Sequence, residues 1–304
     1  MPMIKLGFLI LATVFFGVLG SQTLKAQEVK IKHGDLTLNA NLNLPSEKSL
    51  ADGIVLMLHG TLAHKDMEFM RGLQDMLLER GISNLAINLS LAKDNRKGMF
   101  NCAGPHRHKD TNAVEEIGLW VDWLKAQGAG AITILGHSRG GNQIAQYAAD
   151  KPDQAVKLVV LIAPGTWTQG KLIRDYKKNY KKELMPLLDR AKSLMRKNQG
   201  NILMEGVDLL YCPHTKVAAK TFVDYYSGSQ LLDTPSMIER IKLPVLAVVG
   251  DNDQVVPYFS ERMRMNKQPN VKFEIIEDAG HFFLDLYGED LADVIAAFVN
   301  EKQS

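Results

Sequence analysis

Three side chains in this sequence have the types that together make a hydroxyl nucleophilic: Ser138, His281 and Asp253. Ser138 stands in the run Ile134-Leu135-Gly136-His137-Ser138-Arg139-Gly140-Gly141. Glycines at this spacing let backbones cross closely at a strained strand-to-helix turn, which lifts the serine oxygen above a sheet. A serine hydroxyl stays a weak nucleophile until a base takes its proton. His281, in Asp278-Ala279-Gly280-His281-Phe282, is the candidate base. The imidazole in turn needs an acid that fixes its tautomer and stabilises its cation. Asp253, in Gly250-Asp251-Asn252-Asp253-Gln254-Val255-Val256-Pro257, is the candidate acid, and Asp251 in the same loop is its rival. An oxyanion formed by attack of Ser138 needs two backbone donors. One is the amide of Arg139, just after the serine. The other is the amide of Thr61 in His59-Gly60-Thr61, with Leu62 as the alternative.

These residues act together only if neighbouring strands end at one edge of a sheet. An apolar run at 131–135 leads into the serine turn, and a helical stretch at 142–149 follows it. Residues 53–58 (GIVLML) form a continuous apolar run, fit for a buried central strand just before His59. Residues 28–33 and 36–44 read as a hairpin around His33-Gly34-Asp35. Met67, Met70, Leu73 and Leu77 place a helix over 66–80, ended by Gly81. A strand is expected at 84–89, an irregular polar segment at 93–109, and a helix at 110–126 with Val114, Ile117, Val121 and Leu124 on one face. Strands at 157–163, 244–249 and 271–276 alternate with helices at 258–265 and 290–299. Such alternation predicts an α/β fold, a mainly parallel sheet covered on both faces.

Residues 166–240 break the alternation. Within them, 171–197 hold ten Lys or Arg and three acids, and Leu172, Tyr176, Tyr180, Leu184, Leu187, Leu188 and Leu194 recur at helical spacing. An insertion this long between two strands of one sheet reads as a lid. From Thr168 to Arg240 it carries 13 basic and 8 acidic residues. That excess reads either as a solvated helix face or as attraction for an anionic substrate.

With His59-Gly60, the GHSRGG run, the GDNDQVVP run and the DAGH run in this order, the chain resembles the α/β-hydrolase superfamily over residues 28–301. The resemblance implies a core of 27–165 and 241–304, with 166–240 as an inserted helical cap. It carries over Ser138 as nucleophile, Asp253 as acid and His281 as base. It implies hydrolysis of a carboxylic ester, through an acyl-enzyme and without a cofactor. Thioesterase, peptidase and carbon–carbon hydrolase chemistry use the same triad, and a non-catalytic binding protein is the rival from another class. Serine at 138 argues against epoxide hydrolase and haloalkane dehalogenase chemistry. In such a fold Cys102 and Cys212 lie over the same edge of the sheet, which makes a disulfide available; two buried thiols are the alternative.

The other histidines and tryptophans are ambiguous. His59, His106, His108, Trp167 and His214 are candidate substrate contacts. His106-Arg107-His108 lacks the further ligands that a metal site needs, so no metal is expected. His33 and His64 read as surface residues, and Trp120 and Trp123 as packing residues.

The whole chain has 304 residues, 46% hydrophobic and 23% charged. This composition excludes disordered, collagen-like and disulfide-dense classes. Lys5, the uncharged run 6–20 and Ala26 make 1–26 a secretory signal peptide, with an uncleaved anchor as the alternative. The remaining 34 basic and 34 acidic residues balance. Nothing in that balance calls for nucleic acid. An exported protein, periplasmic or secreted, acting on a small ester is the expectation; oligomeric state is left open.

Overall fold

Strands buried on both faces need apolar residues at every position, and such runs recur along this chain. The computed structural model describes residues 27–150 and 152–303. The segment read as a signal peptide lies outside them. The first half runs β1 (Gln27–His33), β2 (Leu36–Asn43), β3 (Ile54–Leu58), α1 (Glu68–Glu79), β4 (Asn84–Asn88), α2 (Asn112–Ala126), β5 (Ile132–His137), α3 (Arg139–Asp150) and β6 (Val156–Ile162). An insertion follows, with α4 (Gln169–Tyr180), α5 (Leu184–Arg196), β7 (Leu203–Leu209), β8 (Cys212–Ala218), α6 (Ala219–Tyr226) and α7 (Thr234–Ile238). The chain returns with β9 (Val245–Gly250), α8 (Phe259–Arg264), β10 (Val271–Ile276) and α9 (Leu286–Gln303).

The sheet has eight strands in the order β1-β2-β4-β3-β5-β6-β9-β10. The β1–β2 and β2–β4 pairs are antiparallel, and the other five pairs are parallel. Every residue of β3, β4, β5 and β9 is buried. Trp120 on α2 is fully buried and packs edge-on against Trp123. On α1, Phe69, Met70, Leu73 and Leu77 are buried along one stripe, and Gly81 follows with a left-handed backbone.

Two regions differ from the sequence expectation. The insertion is not purely helical: β7 and β8 pair as an antiparallel hairpin. Its register shifts between Met204 and Val207 and again before Leu209, so the alternation that marks a strand is interrupted. Tyr176, Leu188, Met204, Val207, Val217 and Phe222 form a separate hydrophobic cluster inside the insertion. The polar segment 93–109 is irregular, yet Arg96, Phe100, His106 and His108 are buried. It is held against the hairpin by the His106–Val217 bridge and by the Cys102–Cys212 disulfide, whose Cα atoms lie 5.2 Å apart. Among the described residues no helix is long and apolar enough to cross a membrane.

Candidate active site

The parallel strands β3, β5 and β9 and the edge strand β10 all release their chains at one edge of the sheet, where crevices form in open α/β folds. Between β5 and α3 the chain turns at Ser138, whose φ of +56° is left-handed. A non-glycine residue holds that conformation only when its surroundings impose it. Here they do. A Cβ on Gly136 would collide with the Gly140 carbonyl, and a Cβ on Gly140 would collide with the His59 carbonyl. Strand, turn and helix therefore pack with no room for side chains, and Ser138 is turned outward at the N-terminus of α3.

Asp253 after β9 and His281 after β10 converge on it. His281 Nε2 lies 3.0 Å from Ser138 Oγ, and Nδ1 lies 2.8 Å from Asp253 Oδ2. The other carboxylate oxygen accepts from the amides of Val255 (2.7 Å) and Val256 (3.0 Å). Burial pushes the Asp253 pKa up, but the hydrogen bond and charge of His281, with those two amides, outweigh it and hold the group below its usual range. An ionised Asp253 accepts from His281 Nδ1–H, which leaves Nε2 to accept from the Ser138 hydroxyl. Asp251 is exposed and stands away from this chain of bonds.

His137 supports the arrangement and was missed in the sequence, where it is only the variable position of the motif. Its Nε2 lies 2.9 Å from the His281 carbonyl, and its ring packs 4.4 Å from Phe69. Burial lowers its pKa to about 3, so the ring is neutral and donates Nε2–H to that carbonyl.

Thr61 and Arg139 line one cavity with Ser138. Among the described residues neither amide makes a backbone hydrogen bond. The turn carrying Thr61 rests on His59 and Arg96. His59 Nδ1–H donates to the Gly60 carbonyl (2.9 Å), and Nε2 accepts from the Leu89 amide (3.2 Å). Arg96, 6% exposed, donates to the carbonyls of Ala63 and Leu89 at 2.8 and 2.6 Å. Burial first, then the Arg96 charge, lower the His59 pKa to about 3. Arg96 had no signal in the sequence, being one cation in a polar segment.

The cavity measures about 220 Å³. Its core side presents Ser138, Thr61 and Arg139, and its insertion side presents Trp167, Lys171, Tyr211 and Tyr225. Trp167, expected to touch substrate, is one of the cavity-lining residues. Of the other residues expected to touch substrate, His59, His106, His108 and His214 are not among those lining the cavity. His59 is taken up beneath the turn. His106 and His108 are buried behind Tyr225. His214 is exposed on the hairpin, where its amide donates to Asp208. No group of three or more His, Cys, Asp or Glu that could hold a metal occurs among the described residues.

A parallel sheet in this order, with a serine turned out after its central strand, is the architecture of α/β-hydrolases, and this chain is an α/β-hydrolase enzyme. Residues 50–285 match the family model described as serine aminopeptidase, S33, and the chain belongs to that family. It is 24% identical over 190 residues to a poly(3-hydroxyalkanoate) depolymerase of Ectopseudomonas oleovorans, covering 57% of this chain and 62% of that protein. It is 23% identical over 253 residues to monoacylglycerol lipase ABHD6 of Bos taurus, covering 75% of this chain and 69% of that protein. Est1E from Butyrivibrio proteoclasticus, solved with ferulic acid bound, shares the fold at a TM-score of 0.66 and 19% identity, over 90% of this chain and 98% of its own.

Proposed function

We propose that this protein is an exported serine hydrolase that cleaves small, uncharged carboxylic esters. The observation that carries the reading is the Ser138–His281–Asp253 hydrogen-bond chain at the wall of a cavity. Ser138 Oγ attacks the acyl carbon while His281 Nε2 takes its proton. Asp253 holds the imidazole and stabilises its cation. The Thr61 and Arg139 amides receive the developing oxyanion. His281 then returns the proton to the leaving alcohol, and water, activated by the same imidazole, releases the acid.

The substrate class follows from the cavity. Its volume of about 220 Å³ is below the usual range for drug-sized ligands and favours a short acyl or alcohol group. Its cations are already compensated: Arg139 Nη1 lies 3.0 Å from Asp110, and Lys171 Nζ lies 2.5 Å from Asp175. This pairing favours an uncharged ester over the anionic one that the basic run raised. A peptide N-terminus would need a free acid for its ammonium group, and Asp175, the one acid lining the cavity among the described residues, is engaged by Lys171. Export is supported by the apolar residues 6–20 and by the disulfide, a bond that persists in oxidising compartments.

A series of uncharged esters of increasing chain length, offered to protein lacking residues 1–26, tests the reading. Preference for short neutral esters is expected. Cleavage confined to anionic esters or to amides would overturn it.

A further inference from the structure

Tyr225 lines the cavity beside Ser138, Thr61 and Arg139, and two histidines that the triad does not use stand behind it. His106 is 0% exposed and His108 1%. His106 Nδ1 lies 3.1 Å from His108 Nε2, and His108 Nδ1 lies 2.9 Å from Tyr225 Oη. Phe100 packs against both imidazoles, and the Arg139 guanidinium lies over the Tyr225 ring at 5.3 Å. The charged groups that act on these rings are the cations Lys93, Arg96 and Arg139. Burial first, then Lys93, lowers the His106 pKa to about 4. Burial first, then His106 and the three cations, lowers that of His108 to about 3. Both rings are neutral at pH 7.

A neutral imidazole carries one N–H, so this chain has two proton arrangements. With both rings protonated at Nδ1, His106 donates to His108 and His108 donates to Tyr225 Oη. The tyrosine proton is then left to donate elsewhere. With both rings protonated at Nε2, Tyr225 donates to His108, His108 donates to His106, and His106 Nε2–H is left over. His106 Nε2 is buried and has no partner among the described residues. An orphaned buried N–H is rarer and worse than an unused acceptor. The first arrangement therefore prevails, and the Tyr225 hydroxyl proton has no acceptor among the described residues.

We propose that Tyr225 is a specificity-determining donor. Its hydroxyl, with its proton turned away from His108, binds an uncharged oxygen of the substrate, hydroxyl or carbonyl, other than those of the scissile ester. The proposal rests on the ester-hydrolase reading above. It extends that reading from any small ester to one carrying a second oxygen function.

Two measurements test it. Two-bond proton–nitrogen correlation spectra of the folded, disulfide-intact protein read the imidazole tautomers directly. Nδ1–H in both His106 and His108 is expected. Nε2–H in His108 would mean that Tyr225 gives its proton to that ring, and would overturn the proposal. The second measurement compares kcat/KM for ethyl butanoate, ethyl 3-hydroxybutanoate and 2-hydroxyethyl butanoate. In Tyr225→Phe, the preference for at least one oxygenated ester over ethyl butanoate should fall about three- to tenfold, the worth of one hydrogen bond between uncharged partners. Unchanged preferences in the variant would overturn it. Failure of the wild type to cleave any of the three would defeat the ester reading itself, and the spectra separate that failure from a wrong tautomer.

Discussion

Asp251 and Asp253 sit on one loop, yet only Asp253 reaches the imidazole. Its carboxylate is 2.8 Å from His281 Nδ1, whereas Asp251 is exposed. Asp253→Asn should therefore lower kcat by about 10⁴, because the amide favours the wrong imidazole tautomer. Asp251→Asn should cost little. Steady-state kinetics of the two variants checks this, and equal losses would reverse the assignment. Ser138, His281 and Asp253 were legible in the sequence because short motifs mark where strands end. Arg96, His137 and Tyr225 were not, because what they do depends on contacts between distant segments. His137 meets the His281 carbonyl across 144 positions, and His108 meets Tyr225 across 117. No local pattern encodes such pairings.

At the scale of elements, the central strands could be read from apolar continuity, and α1 and α2 from their buried stripes. The β7–β8 hairpin could not, since its register shifts break the alternation. Nor could the burial of segment 93–109, where Arg96 is held by the carbonyls of Leu89 and Ala63 and His108 by Tyr225. That segment and the adjoining Asp110 are tied to the insertion. Thr215 Oγ1 donates to the Cys102 carbonyl at 2.7 Å, the Asp110 amide donates to Asp224 at 2.5 Å, and the disulfide closes a separation of 110 residues. Removing a crosslink over so long a loop frees the unfolded chain most. Cys102→Ala/Cys212→Ala should lower the unfolding free energy by about 2–5 kcal/mol, measured by urea titration. A change below about 1 kcal/mol would show that the other contacts hold the segment without it.

At the scale of the whole molecule, the fold buries several imidazoles in neutral form. His59, His108 and His137 have folded pKa values of about 3, against 6.5 for a free imidazole. Between those values the unfolded chain binds protons that the folded chain does not. Stability is therefore full above about pH 6.5 and is lost as pH falls toward 3, by at most about 1.4 kcal/mol per pH unit for each ring. Urea midpoints should drop steeply from pH 7 to pH 5, and a flat profile would contradict the burial of these rings as neutral groups. At the strained turn, Ser138 Oγ donates to His281 Nε2 and shares one cavity with Thr61 and Arg139. The most direct test is reaction with a fluorophosphonate probe followed by mass spectrometry of the peptides. One adduct per chain is expected, on Ser138, absent from Ser138→Ala even though that variant melts near the wild type. An unlabelled Ser138 in folded protein, or a label that persists in Ser138→Ala, would contradict it.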